Sequence, residues 1–201
     1  MKTTVDLYFW INCFFTFSLI GYILECIVLT VENRKPVYNR GFGHGPFCII
    51  YGFGAVGAAV LLRPVSDDMV KLYFASMLMA TTMELITAKI MIRLFGAFWW
   101  DYSKKRCNYK GIICLESSLG WGLLGIIFFR ILNVQVQNTV ARIPSHVGKY
   151  VALALLFFYV FDFFYSFRLE LREKNCEDNR EIIGRMKICL LYTSPSPRDC
   201  S

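Results

Sequence analysis

A chain of 201 residues that is 56% hydrophobic, 16% aromatic and only 18% charged is too apolar for a water-soluble domain, and its apolar residues come in blocks of membrane-spanning length. The formal net charge of +7 would suggest nucleic acid in a soluble protein, but the basic residues sit in the short connections between apolar blocks, where they report topology. Composition therefore argues against a nucleic-acid binder and implies an all-α integral membrane protein of one domain, with the lipid bilayer as its first partner.

The first apolar block, about 7–30, is long enough to cross a hydrocarbon core of ~30 Å at ~1.5 Å per residue. No small-residue cleavage site closes it, so it reads as an uncleaved span. A connection with Arg34, Lys35 and Arg40 leads to a short, glycine-rich block at about 46–62 that begins with Pro46. That block suits a closely packed span, with a re-entrant hairpin as the competing reading. After the compact turn Arg63-Pro64-Val65-Ser66-Asp67-Asp68 comes a third block at about 70–94, and a fourth covers about 115–132. The stretch 133–149 is polar and irregular. A fifth block, 150–167, runs without a breaker into charged residues up to 174, as a helix leaving the membrane would.

Residues 175–188 then form a cytoplasmic tail. The segment 189–201 departs from every earlier trend and resembles translated sequencing read-through, so it is set aside from functional reasoning; a disordered Ser-Pro tail is the alternative. Five spans place the termini on opposite sides. With the N-terminus outside, Lys and Arg number 14 inside against 6 outside, which favours N-terminus out and C-terminus in the cytoplasm.

Between the third and fourth blocks lies a loop dense in aromatics, charges and glycine, including Trp99, Trp100, Asp101, Tyr102 and Gly111, with Glu116 opening the next span. The aromatics read as an interfacial belt, and Glu116 as a carboxylate at the positive end of a helix. Together with Asn39, Arg40, Gly41, Gly45 and Pro46 of the earlier loop, they form the cytoplasmic motifs expected to meet a partner. A parallel repeat is also suggested. Aligning Glu25 with Glu84 brings each helix to a basic loop and then to a Gly-aromatic-Gly triplet, Gly52-Phe53-Gly54 or Gly120-Trp121-Gly122.

Ionisable groups within spans cost at least ~2.5–3.5 kcal/mol near the centre, so they face protein or water. Glu25, Glu84 and Asp162, with Lys89 or Arg93, are read as lining a cytoplasm-facing polar vestibule; interhelical hydrogen bonding with snorkelling cations is the alternative. The eight cysteines make no Cys-x-x-Cys pair, and His44 and His146 fall on opposite sides, so neither a disulfide framework nor zinc is expected. The sequence contains no nucleophile elbow, His-Glu-x-x-His or Walker loop. No enzymatic activity and no cofactor is expected of this chain.

Several runs carry a family resemblance: Thr81-Thr82-Met83-Glu84-Leu85-Ile86-Thr87, Trp99-Trp100-Asp101-Tyr102-Ser103, Cys114-Leu115-Glu116-Ser117-Ser118-Leu119-Gly120-Trp121-Gly122, Asn39-Arg40-Gly41-Phe42 with Gly45-Pro46, Tyr51-Gly52-Phe53-Gly54 and Asp162-Phe163-Phe164-Tyr165-Ser166. Across about Phe9 to Arg172 the chain resembles the bacterial membrane family of type IV ABC-transporter permeases, CmpB type. The resemblance implies a multi-pass protein of the bacterial plasma membrane with five or six helices, working with a separate ATPase subunit on the cytoplasmic side. The departure is Ile112, where the family pattern commonly has an arginine after the glycine at Gly111. Self-association into a homo-oligomer is a further expectation. A non-transporting scaffold or regulator that binds a cytoplasmic partner is the alternative function, and the substrate is not legible.

Overall fold

The computed structural model describes residues 7–36, 43–96, 98 and 100–193, with side chains described outside 32–33 and 173–193. Asn39, Arg40, Gly41 and Trp99, together with Phe42 and 194–201, lie outside the described residues. The chain is mostly helical: α1 (Leu7–Asn33), α2 (Ile49–Leu61), α3 (Met69–Phe95), α4 (Leu115–Ile127), α5 (Asn133–Ala141) and α6 (Ser145–Thr193). Two-residue strands β1 (Asn108–Tyr109) and β2 (Ile113–Cys114) pair antiparallel in the loop between α3 and α4.

Among the described residues, four helical stretches are long and apolar enough to cross a bilayer: Leu7–Val31, Met69–Phe95, Leu115–Ala141 and Ser145–Arg172. Their outward residues are large and apolar, with Leu78, Phe157 and Phe161 all exposed. The interior holds an apolar core that includes Cys13, Phe15, Phe17 and Leu72, together with Ser18, Ser76, Ser166 and the glycines of the helix contacts. Large apolar side chains over the outer surface match a lipid solvent, and small residues inside let helices approach. The protein is a multi-pass membrane protein.

Each helix end is set locally. Asp68 caps α3 by accepting from the backbone N–H of Val70 at 3.0 Å and of Lys71 at 3.1 Å, and Gly96 ends it with φ +81°, donating to the Ile92 carbonyl. The segment 46–62, expected to span, contains a helix of only 13 residues, roughly 20 Å long at ~1.5 Å per residue. The Cys48 N–H donates to the Ser18 carbonyl at 3.1 Å, so α2 starts opposite the middle of α1, and its far end shares a cavity wall with Tyr8. The chain thus returns to the level where α1 began, with α2 making the half of the crossing nearer the start of α1 and non-helical residues 43–48 approaching it from the other side.

The stretch 133–149, expected to be irregular, is helical to Ala141 and again from Ser145, where α6 begins. A five-residue π-helical turn, Phe128–Leu132, joins α4 to α5. Val136 and Val140, one helical turn apart, bury against the core around Cys13, Phe17, Ala59 and Phe128. The pull of that apolar pair outweighs the polar residues between them.

Two hairpins of like construction emerge, α1 with α2 and α3 with α4. In the first, the Tyr51 ring occupies the space where Gly21 would carry a Cβ, and Ser18 does the same at Gly52. In the second, Thr81 Oγ1 donates to Ser118 Oγ at 2.9 Å, and a Cβ on Gly122 would sit 2.7 Å from the Tyr73 ring. Ser76 likewise occupies the space where Gly125 would carry a Cβ, so in each hairpin a serine of the first helix packs on a glycine of the second. Gly54 and Gly120 both face open space.

Candidate functional site

The loop between α3 and α4 is a folded unit that climbs back to the bundle. Lys110 (φ 54°) and Gly111 (φ +69°) form its tip, closed by the Ile112 N–H donating to the Tyr109 carbonyl at 3.0 Å; two successive left-handed residues mark a type I′ turn. Gly111 is required here twice over, because a Cβ would also lie 2.9 Å from Asp101 Oδ1. Asp101 accepts from the Ser103 backbone N–H at 2.8 Å and from Ser103 Oγ at 2.9 Å, and these bonds hold its exposed carboxyl below the ordinary value. Trp100 Nε1 donates to the Ile112 carbonyl at 2.7 Å, and the Tyr102 N–H to the Gly111 carbonyl at 2.9 Å. Ile112 itself is buried. At the departure from the family pattern, then, an apolar side chain packs inward.

This construction delivers Tyr102 to Glu84. Glu84 is 5% exposed, and its Oε1 accepts from Tyr102 Oη at 3.0 Å while Oε2 accepts from Trp121 Nε1 at 3.2 Å and Ser117 Oγ at 3.4 Å. Burial pushes the Tyr102 hydroxyl above its ordinary range, which keeps it protonated and donating. A carboxylate deep in a helix bundle is thus surrounded by three donors, two from α4 and one from the loop. Beside it, Tyr51 stacks at a tilt on Trp121, with ring centroids 5.7 Å apart, and hydrogen-bonds the partly buried Glu25. Glu25 and Glu84 are therefore brought together by aromatic side chains of α2 and α4.

Asp162 belongs to a second cluster. It is 9% exposed on α6, and its two carboxylate oxygens accept the backbone N–H groups of His44 and Gly45, each at 3.1 Å. His44 Nδ1 and Ser166 Oγ are 2.8 Å apart, one helical turn beyond Asp162. Non-helical backbone at membrane depth needs partners within the protein, and Asp162 supplies them to the loop after α1. The fold puts His44 beside Ser166, although the two lie far apart in the chain. Asp162 reaches the His44 backbone rather than its ring, and Ser166 is 1% exposed, so the arrangement works as a clamp on the loop.

The remaining predicted residues divide by position. Lys89 and Arg93 are exposed on α3, turned away from Glu84, as their spacing on a helix requires. Pro46 is exposed, whereas Gly45 packs against Asp162 and Phe158. Glu116, exposed in the first turn of α4, pairs with Lys105 at 3.2 Å. Sequence reasoning missed Tyr51, Ser117 and Trp121 as partners of the acids, and Ser166. The signal for Trp121 was available, since an indole N–H in a span must find an acceptor.

The profile of the family described as "Putative ABC-transporter type IV" matches residues 12–167. No curated protein and no solved structure matches the chain. The matched region holds both acid clusters and both loops.

Proposed function

The chain belongs to this ABC-transporter type IV family, and on that premise we propose that it is the membrane permease subunit of an ABC-type transport system in the bacterial plasma membrane. Its N-terminus lies outside and its C-terminus in the cytoplasm, so that both loops face a separate ATPase chain. One observation carries the reading: each of these loops is bonded to a carboxylate inside the bundle, Tyr102 to Glu84 and the His44–Gly45 backbone to Asp162. A partner that displaced either loop would be felt at membrane depth, which is what coupling of an external ATPase to a permeation path requires.

The experiment is copurification of the full chain in mild detergent, followed by ATP-linked uptake in vesicles. The permease reading expects a nucleotide-binding chain to copurify and expects Tyr102→Phe to reduce coupled flux while the complex still assembles. A complex lacking any such chain, with no ATP-linked flux, would overturn it.

A scaffold or regulator is the second reading, favoured by the saturation of Glu84 with three internal donors, as interhelical glue would be. It expects Glu84→Gln to leave cellular activity unchanged.

A further inference from the structure

At the end of the bundle opposite the two loops lies a cavity of about 790 Å³, within the size range of small-molecule sites. Its wall includes Tyr8 and Asn12 of α1, Arg63 and Ser66 after α2, and Asn133 and Gln137 of α5. The π-helical turn at Phe128–Leu132 adjoins it. That turn allows Phe128 to enter the apolar core while Asn133 and Gln137 reach the cavity, and such turns recur at functional sites.

The hydrogen bonding of the wall defines what it can accept. Asn12 is 5% exposed, and its Nδ2 donates to the Tyr8 and Gly148 carbonyls, both at 2.9 Å. A flipped amide would set oxygen against two carbonyl oxygens, so the orientation is fixed and Oδ1 is an acceptor. That buried Oδ1 has no protein partner and no surface open to the cavity, so Asn12 shapes the wall without offering it an acceptor. Gln137 Nε2 donates to Asn133 Oδ1 at 2.7 Å, which leaves this amide pair with one further oxygen acceptor and one further NH2 donor. Among the described lining residues Arg63 is the one charged group, and no carboxylate opposes it.

From this pattern we infer that the cavity binds a compact polar anion, a phosphate or carboxylate for Arg63 that also carries a hydroxyl or ammonium group for the Gln137–Asn133 amide pair. A free solute and a phospholipid headgroup both present this chemistry. The assignment deepens the permease reading and rests on it for the word substrate; binding itself does not depend on it.

The test uses the purified full chain in phosphatidylcholine nanodiscs, with glycerol 3-phosphate and dihexanoyl phosphatidylglycerol as separate probes followed by calorimetry and native mass spectrometry. Saturable binding of at least one probe is expected, weakened about tenfold or more in Arg63→Gln, because a charge-assisted bond is lost. Gln137→Leu should weaken it as well, and serves if Arg63→Gln fails to fold. Binding of glycerol 3-phosphate identifies a solute site; binding of the phosphatidylglycerol alone identifies a headgroup site. If neither probe saturates, or if binding is indifferent to both substitutions, the inference is overturned. No ATPase takes part in the assay, so intact binding without vesicle flux would count against the permease reading alone.

Discussion

The two hairpins solve one packing problem with different chemistry. Where α1 meets α2, the glycine at position 21 admits the Tyr51 ring; where α3 meets α4, Glu84 is ringed by Tyr102, Ser117 and Trp121. The first hairpin consequently ties its loop to a different helix, through Asp162 of α6, whereas the second ties its loop to its own α3. A shared backbone plan thus leaves room for two different ways of fastening a loop. The acids mark where each loop is fastened.

That contrast can be broken at its joints. The largest effects are expected at the close contacts: Gly21→Ala and Gly125→Ala place a methyl group into the Tyr51 ring and the Ser76 side chain, costing about 1–3 kcal/mol through overpacking. Gly54→Ala and Gly120→Ala, which point into open space, should change the unfolding midpoint in detergent little. If all four behave alike, the close contacts at Gly21 and Gly125 are not what holds the hairpins together.

Next in size is Glu84→Ala, which strands the Trp121 and Tyr102 donors and should cost about 1–3 kcal/mol, against less for Glu84→Gln, which keeps one acceptor oxygen. Tyr102→Phe removes one bond worth about 0.5–1.5 kcal/mol and should raise protease cleavage within 100–114 while leaving the His44 loop protected. Acid should loosen the same segment. The Asp101 carboxyl is held below its ordinary value of 3.8, so its contribution is present above that value and is lost as pH falls through the lowered one; hydrogen exchange at Ser103 reads this. The smallest effect is expected for Lys105→Ala, since the exposed pair with Glu116 is worth about 0–1 kcal/mol.

Much of this architecture was legible from the chain. Helix-length apolar blocks located the long crossings, and Pro46 with its glycines marked the second crossing as unusual. The extent of α5 was hidden because two valines one turn apart decided it against a polar background. Glu84 and Asp162 stood out as ionisable residues in apolar blocks, but their partners did not, since Tyr102 reaches Glu84 only after a turn with two left-handed residues reverses the loop. The clamp on Asp162 uses backbone N–H groups, which have no side-chain signature.

The most direct measurement is a double-mutant cycle on Glu84→Gln and Tyr102→Phe, with reversible unfolding in mixed micelles as the readout. If the loop is fastened to the bundle through this bond, the two costs will be non-additive by about 0.5–3 kcal/mol. Simple additivity would mean that the loop and the buried acid are independent, and would contradict the account.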